Sequence, residues 1–195
     1  MTSPAVVVSP YQMHWPERGA QLALDLSTRL GPLALRVEHI GSTAIPGMAA
    51  KPVFDLQVSV RDLDEAAEAF DGPLATFGLT RRPWLHDHVP AGLDDDPKRW
   101  SKRVWNNAAE PDRERIILHC RLAGSPNERV ALLFRDWLRT KPLAVAAYGR
   151  FKRMLAEAVS DRDEYTDVKD PVVDLIIVAA EDWAAATGWT PDQAR

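Results

Sequence analysis

One cysteine in 195 residues, Cys120, excludes an internal disulfide. No apolar run approaches the roughly 18–20 residues that a membrane-spanning helix needs. The N-terminal stretch MTSPAVVVSPYQMHWPERG lacks the basic flank and long apolar core of a secretory signal. Positive charge is not in excess either: 24 Lys and Arg stand against 28 Asp and Glu, a formal net charge of -4. That balance argues against a general nucleic-acid binder, although it leaves room for a local basic cleft. Internal repeats and low-complexity tracts are also missing. What remains is an ordinary globular composition, 46% hydrophobic and 27% charged. The expectation is a cytoplasmic protein with no membrane association. Its length suits one domain, or a core with a helical annex, and is enough to bury one sizeable core.

Hydrophobic periodicity divides the chain. VVVSP is short and apolar, an edge strand or an anchored arm. Leu22, Leu26 and Leu30 recur at helical spacing in HWPERGAQLALDLSTRL, with Pro16 allowed in the first turn. LALRVEHIG and KPVFDLQVSV suit strands. In the second, Phe54, Leu56, Val58 and Val60 share one face, and Asp55, Gln57 and Ser59 the other. DLDEAAEAFDGPLATFG predicts a helix interrupted near Gly72-Pro73. Residues 81–112 are rich in Pro, Asp and Trp, which predicts loop with one strand near Val104–Ala108. RERIILHCRL alternates again: Ile116, Leu118, Cys120 and Leu122 face one way, and Arg115, His119 and Arg121 the other. Three helices follow, over NERVALLFRDWLRT, PLAVAAYGRFKRMLAEAV and PVVDLIIVAAEDWAAATG, the last capped by Gly188. The predicted class is α+β, a small mixed sheet flanked by helices. A core over residues 1–125 is expected to carry the sheet, with a helical segment over 126–195 packed on it as one compact unit.

The chemistry concentrates in EHIGSTAIPGMAAKPVFDLQV. Nucleotidyl transfer asks for charge placement more than for covalent participation by side chains. Two carboxylates at i and i+2 of a strand point from one face and can share metal ions. A Gly-Ser turn before that strand lets the backbone approach phosphates and offers N–H groups and a hydroxyl. Gly41-Ser42 supply the turn and Asp55 the first carboxylate, with Leu56 and Val58 as apolar flanks. Gln57 stands where the second acid is needed. An amide ligates Mg²⁺ through oxygen but brings no charge, so Asp55 and Gln57 together form a weakened Mg²⁺ or Mn²⁺ site. His119 is a candidate general base, phosphate contact or extra ligand, and Glu38 a candidate replacement carboxylate. A Walker loop is excluded: five residues separate Gly41 from Gly47, and Met48, not Lys, follows.

Other residues carry weaker signals. Lys51 reaches a phosphate or is merely solvated. Arg121 shares the polar face of His119. His86 and His88 of HDH are a metal pair or a polar loop. Arg99, Lys102 and Arg103 with Trp100 and Trp105 either bind a nucleotide or form a surface strand with inward tryptophans. Arg135 and Arg139, one turn apart, are expected to pair with acids.

HIGSTAIPGMAAKPVFDLQV, with PYQMHWP before it, resembles the GrpB family of the nucleotidyltransferase superfamily. The resemblance continues through LHCRLAGSPNERVALLFRDWLRTKPLAVAAYGRFKRMLAE and YTDVKDPVVD. The C-terminal half looks like the GrpB-type domain fused behind dephospho-CoA kinase in some bacteria. The family implies a polymerase-β-like nucleotidyltransferase fold, and its members often lack the second acid, as Gln57 does here. The reading of the residues, taken with the resemblance, favours an NTP or phosphorylated small molecule as ligand, with Gly41, Ser42, Lys51, Arg121 and Lys152 as candidate phosphate contacts and Asp55 and His119 as candidate catalytic groups. Lys152, one turn after Tyr148, matches a helical lysine of the family. The resemblance leaves open whether the chain is an enzyme, a metal-dependent nucleotidyltransferase, or a non-catalytic module acting with a kinase.

Overall fold

The structure, a computed structural model, describes residues 6–107, 114–159 and 161–191. Helix α1, Trp15–Leu30, starts with Pro16 in its first turn and buries Trp15, Leu22, Leu26 and Leu30. It ends at Gly31, whose φ of +66° suits glycine. Strand β1, Arg36–Ile40, leads through a 3-10 turn, Ser42–Ala44, to β2, Val53–Val60. Helix α2, Leu63–Ala75, is capped by the Asp62 carboxylate, which accepts from the backbone N–H of Asp64 and Glu65. Strands β3 (Thr80–Arg82), β4 (Lys102–Asn106) and β5 (Arg115–Leu122) follow, then helices α3 (Pro126–Arg139), α4 (Pro142–Ala158) and α5 (Arg162–Thr187). VVVSP is an anchored arm: it meets the rest of the protein through one bridge between Ser9 and Ala50.

The five strands form one mixed sheet in the order β1-β2-β5-β4-β3. β2 and β5 are parallel, and the other pairings are antiparallel. One face is the core expected from the alternation. Phe54, Leu56, Val58, Val60, Leu118 and Cys120 pack there against Leu22 and Leu26 of α1 and Phe70 and Leu74 of α2. Each such aliphatic side chain contributes about 2 kcal/mol by leaving water. Helices α3, α4 and α5 lie over the other, polar face, where Glu128 meets Arg36 and Ser59, Arg135 meets Glu38, and Lys152 meets Ser42.

Three local expectations need correction. Helix α2 runs through Gly72-Pro73 without a break. Pro73 removes one backbone donor, but the helix ends at Ala75, and Phe70 and Leu74 on either side are docked in the core. Between residues 81 and 107 the sheet gains two strands rather than one, because Arg81 pairs with Trp105 on the antiparallel edge. Ala108, the expected end of that strand, lies outside the described residues. Helix α5 begins at Arg162, nine residues before Pro171, and carries that proline internally. Its first turns are held by Tyr165, 2% exposed, whose ring faces Lys51. No helix among the described residues is long and apolar enough to cross a membrane.

Candidate functional site

The site lies where the end of β1 meets the start of β2. Their register sets Ile40 opposite Asp55. After Ile40 the chain turns through Gly41 with φ +69°. A β-carbon on Gly41 would sit 2.6 Å from Asp55 Oδ2, so only glycine meets both the backbone angle and the close approach of the carboxylate. Ser42 opens the 3-10 turn, and its Oγ accepts a hydrogen bond from Lys152 Nζ at 2.8 Å. Lys152 comes from α4, is 3% exposed, and lies 4.8 Å above the Tyr148 ring. Burial pushes its ammonium pKa down to about 7, Lys169 adds to the shift, and Asp55 opposes it.

His119 enters from β5, which pairs with β2 so that His119 is in register with Gln57. Its Nε2 lies 3.5 Å from Asp55 Oδ1. Burial lowers the imidazole pKa more than Asp55 raises it, so the ring is neutral at neutral pH. Its Nδ1 is buried without a hydrogen-bond partner among the described residues.

Gln57 shares the face of Asp55 but is turned elsewhere. It is fully buried, its Oε1 accepts from Arg121 Nη1 at 2.5 Å, and its Nε2 donates to the Glu128 carbonyl at 3.3 Å. Arg121 is itself committed, with Nε donating to Asp87 Oδ2 at 2.8 Å. Asp87 is the group that sequence reasoning missed. Besides Arg121 it binds Lys102 Nζ at 2.6 Å and Asn127 Nδ2 at 3.0 Å. Burial alone would push the Asp87 carboxyl up, but Arg121 and Lys102 outweigh it and hold the pKa far below the usual range. The signal was available in HDH: alternation that puts His86 and His88 on one side puts Asp87 on the other. His88 instead faces Asp174, at 3.0 Å. Glu38 is taken by Arg135, at 2.8 Å.

Two neighbouring cavities meet at Asp55 and His119. One, of about 670 Å³, is lined among the described residues by Lys51, Lys102, Arg115, Lys152 and Lys169 against two carboxylates, Asp55 and Asp167. Lys51 sits over the Tyr165 ring with Nζ 3.8 Å from its centroid. The other, of about 440 Å³, has a more apolar wall that includes Trp100, Phe134, Tyr148, Val173 and Ile177. The structure thus gathers Gly41, Ser42, Lys51, Asp55, His119 and Lys152 around joined cavities. Arg121 lines the second cavity from within its ion pair, and Gln57 lines neither. Tyr165 and Lys169 reach the site only because α5 starts early. Trp100 and Trp105 are buried, 2% and 0% exposed, so both tryptophans pack inward; Lys102 and Arg103 lie on β4, and Arg99 and Trp100 in the 3-10 turn before it. Among the described residues no three His, Cys, Asp or Glu side chains converge as metal ligands would.

The profile of the family described as GrpB protein matches residues 5–178. A dephospho-CoA kinase of Mycolicibacterium paratuberculosis is 36% identical over 200 residues, covering 93% of this chain and 47% of that protein. A second dephospho-CoA kinase, from Mycobacterium leprae, is 34% identical over 90% of this chain and 46% of its own length. The chain therefore spans about half the length of these relatives. A UPF0157 protein of Halalkalibacterium halodurans is 31% identical over 90% of this chain and 83% of its own. Among solved structures, that of the conserved protein GrpB from Enterococcus faecalis superposes with a TM-score of 0.69 at 28% identity, covering 91% of this chain and 99% of the other. With the mixed sheet, the Gly41-Ser42 turn and the Asp55 strand matched to a family profile over most of its length, this chain belongs to the GrpB family.

Proposed function

We propose that the joined cavities bind a nucleotide or another phosphorylated small molecule, and that the chain is a nucleotidyltransferase-like protein of polymerase-β-like fold. One observation carries the reading: in a chain of net charge -4, the Gly41-Ser42 turn, Asp55 and the buried Lys152 border a cavity with five cationic side chains. Such a cavity concentrates phosphate against the sign of the whole molecule. The apolar wall of the second cavity offers room for a base or acyl-like body.

A transfer reaction would use these groups as follows. The hydroxyl of a small acceptor attacks the α-phosphorus of an NTP, the bond to the β-phosphate oxygen breaks, and pyrophosphate leaves. The Asp55 carboxylate takes the hydroxyl proton, and the neutral His119, its Nε2 3.5 Å from Asp55 Oδ1, holds that carboxylate in place. Lys152 and Lys51 face the charge on the phosphates. Mg²⁺ or Mn²⁺ would supply further charge neutralisation, but the donor set does not fit a protein-built site. Asp55 is a single carboxylate, the Gln57 oxygen accepts from Arg121, and the oxygens of Asp87 are taken by Arg121, Lys102 and Asn127.

The test is a thermal-shift screen of the wild type and Asp55→Ala against NTPs, dephospho-CoA and CoA, each with and without Mg²⁺ or Mn²⁺. A ligand that binds only the folded state raises the midpoint by mass action. A shift with a nucleotide or dephospho-CoA supports the reading, and turnover that disappears in Asp55→Ala supports transfer. Full turnover of an identified substrate by Asp55→Ala would sink the mechanism.

A second reading makes the chain a non-catalytic module that acts with a kinase such as dephospho-CoA kinase. Two observations favour it. The relatives of that name are about twice the length matched here, and α5 exposes Val168, Leu175 and Val178 on one face at 46%, 71% and 61%. Co-purification with dephospho-CoA kinase, lost in Leu175→Glu, would support it. No change in kinase rate or yield on adding the chain would count against it.

A further inference from the structure

We infer that this site neutralises its ligand's phosphates with lysine side chains, Lys152 foremost with Lys51 and Lys169, in place of a bound divalent cation. The inference rests on the phosphorylated-ligand reading above and adds how the charge is met.

Lys152 carries the argument. It lines the larger cavity, is 3% exposed, and pairs with no carboxylate among the described residues. Its contacts are the Ser42 hydroxyl at 2.8 Å and the face of Tyr148 at 4.8 Å. A buried ammonium without a counter-charge is costly. A hydroxyl and an aromatic ring orient it without cancelling its charge. Lys51 reaches the same cavity with its Nζ 3.8 Å from the Tyr165 ring centroid. Lys169 approaches from α5, 3.4 Å from Asp170 at the rim. Three of the neighbouring acids, by contrast, are spent. Asp87 is held by Lys102, Arg121 and Asn127, Glu38 by Arg135, and Glu128 by Arg36 and Ser59. Among the described residues, Asp55 and Asp167 remain beside the cavity's cations. A divalent cation entering there would meet two carboxylates against five cationic side chains that repel it. A phosphate group would meet the reverse.

One substitution separates the alternatives by sign. If lysines hold the phosphates, Asp55→Asn removes a repelling charge and tightens anion binding. If a cation held by Asp55 does so, the same change abolishes binding. Titration calorimetry of the full chain with inorganic pyrophosphate and with ATP, at matched ionic strength in EDTA and in Mg²⁺, reads this directly. The expected result is binding in EDTA at least as tight as in Mg²⁺, weakened roughly tenfold in Lys152→Met and tightened several-fold in Asp55→Asn. Lys169→Met, at the rim and harmless to packing, is expected to weaken binding less; it serves as the check if Lys152→Met is poorly folded by circular dichroism. Binding that appears only with Mg²⁺ and vanishes in Asp55→Asn overturns the inference and leaves the phosphorylated-ligand reading standing. Equal binding in wild type, Lys152→Met and Lys169→Met also overturns it. No binding of pyrophosphate or ATP in either buffer overturns both.

Discussion

The two faces of the sheet are built on opposite principles from the same strands. On the face covered by α1 and α2, Leu56, Val58, Leu118 and Cys120 are fully buried and apolar. There, stability comes from removing surface from water and from close packing. On the face covered by α3, α4 and α5, the alternate residues of β2 and β5 are Asp55, Gln57, Ser59, His119 and Arg121. Gln57, Ser59 and Arg121 are held by hydrogen bonds and an ion pair to Glu128 and Asp87, and Asp55 faces His119. A polar interior is costly unless each group is satisfied. Most of this face meets that condition; the cavity edge around Lys152 does not. The difference teaches where to look for function: the apolar face explains why the chain folds, and the unsatisfied part of the polar face marks what it is folded for.

The largest expected effect breaks the apolar side of this comparison. Leu56→Ala removes a fully buried side chain at the centre of the sheet. Urea unfolding should show a loss of about 3 kcal/mol, while pyrophosphate affinity of the folded fraction is unchanged. A parallel loss of affinity would mean the two faces are not independent.

A comparable cost is expected on the polar side, by a different mechanism. Asp87→Ala leaves Arg121 and Lys102 buried without their shared carboxylate. The loss is about 3 kcal/mol, and replacing Arg121 by Met in the same chain should recover part of it. Because the Asp87 pKa is depressed, its contribution is present above the unfolded value near 4 and fades as pH falls through the folded one. The acid limb of the wild-type stability profile should therefore flatten in Asp87→Ala. If the double variant is no more stable than the single, the ion-pair account of this face fails.

The smallest effect has the opposite sign. Lys152 has a folded pKa of about 7, below its ordinary 10.5. Between those values the unfolded chain binds the extra proton, so its burial penalises the fold below pH 7 and the penalty is relieved as pH rises towards 10.5. Lys152→Met should stabilise the protein by about 2 kcal/mol at pH 6 and by much less at pH 10. Thermal midpoints at the two pH values check it. A uniform change, or destabilisation at pH 6, would mean the ammonium is compensated within the fold and the cavity edge is satisfied after all.

Much was legible without coordinates because it follows from local periodicity. A period of two in β2 and β5 separated Leu56 and Leu118 from Asp55 and His119, since pleating sends neighbours to opposite faces. Leucines at helical spacing placed α1, and the Gly41-Ser42 turn followed from backbone freedom. Where the reading failed, packing overrode a local signal. Pro171 looked like a helix start, yet α5 begins at Arg162 and thereby brings Tyr165 and Lys169 to the site. Gly72-Pro73 looked like a break, yet α2 continues because Phe70 and Leu74 are anchored in the core.

The sequence by itself determined which residues share a face, because that depends only on the repeat of strand and helix. It also determined that one acid of the pair is Gln57. Only the tertiary structure decided what each polar group touches. Gln57 turned to Arg121, Asp87 came forward between two histidines, and Lys152 was carried by α4 onto Ser42, more than a hundred positions away in the chain. Charges act over a few ångströms in space, and no local pattern of residues encodes which distant side chains will be brought that close.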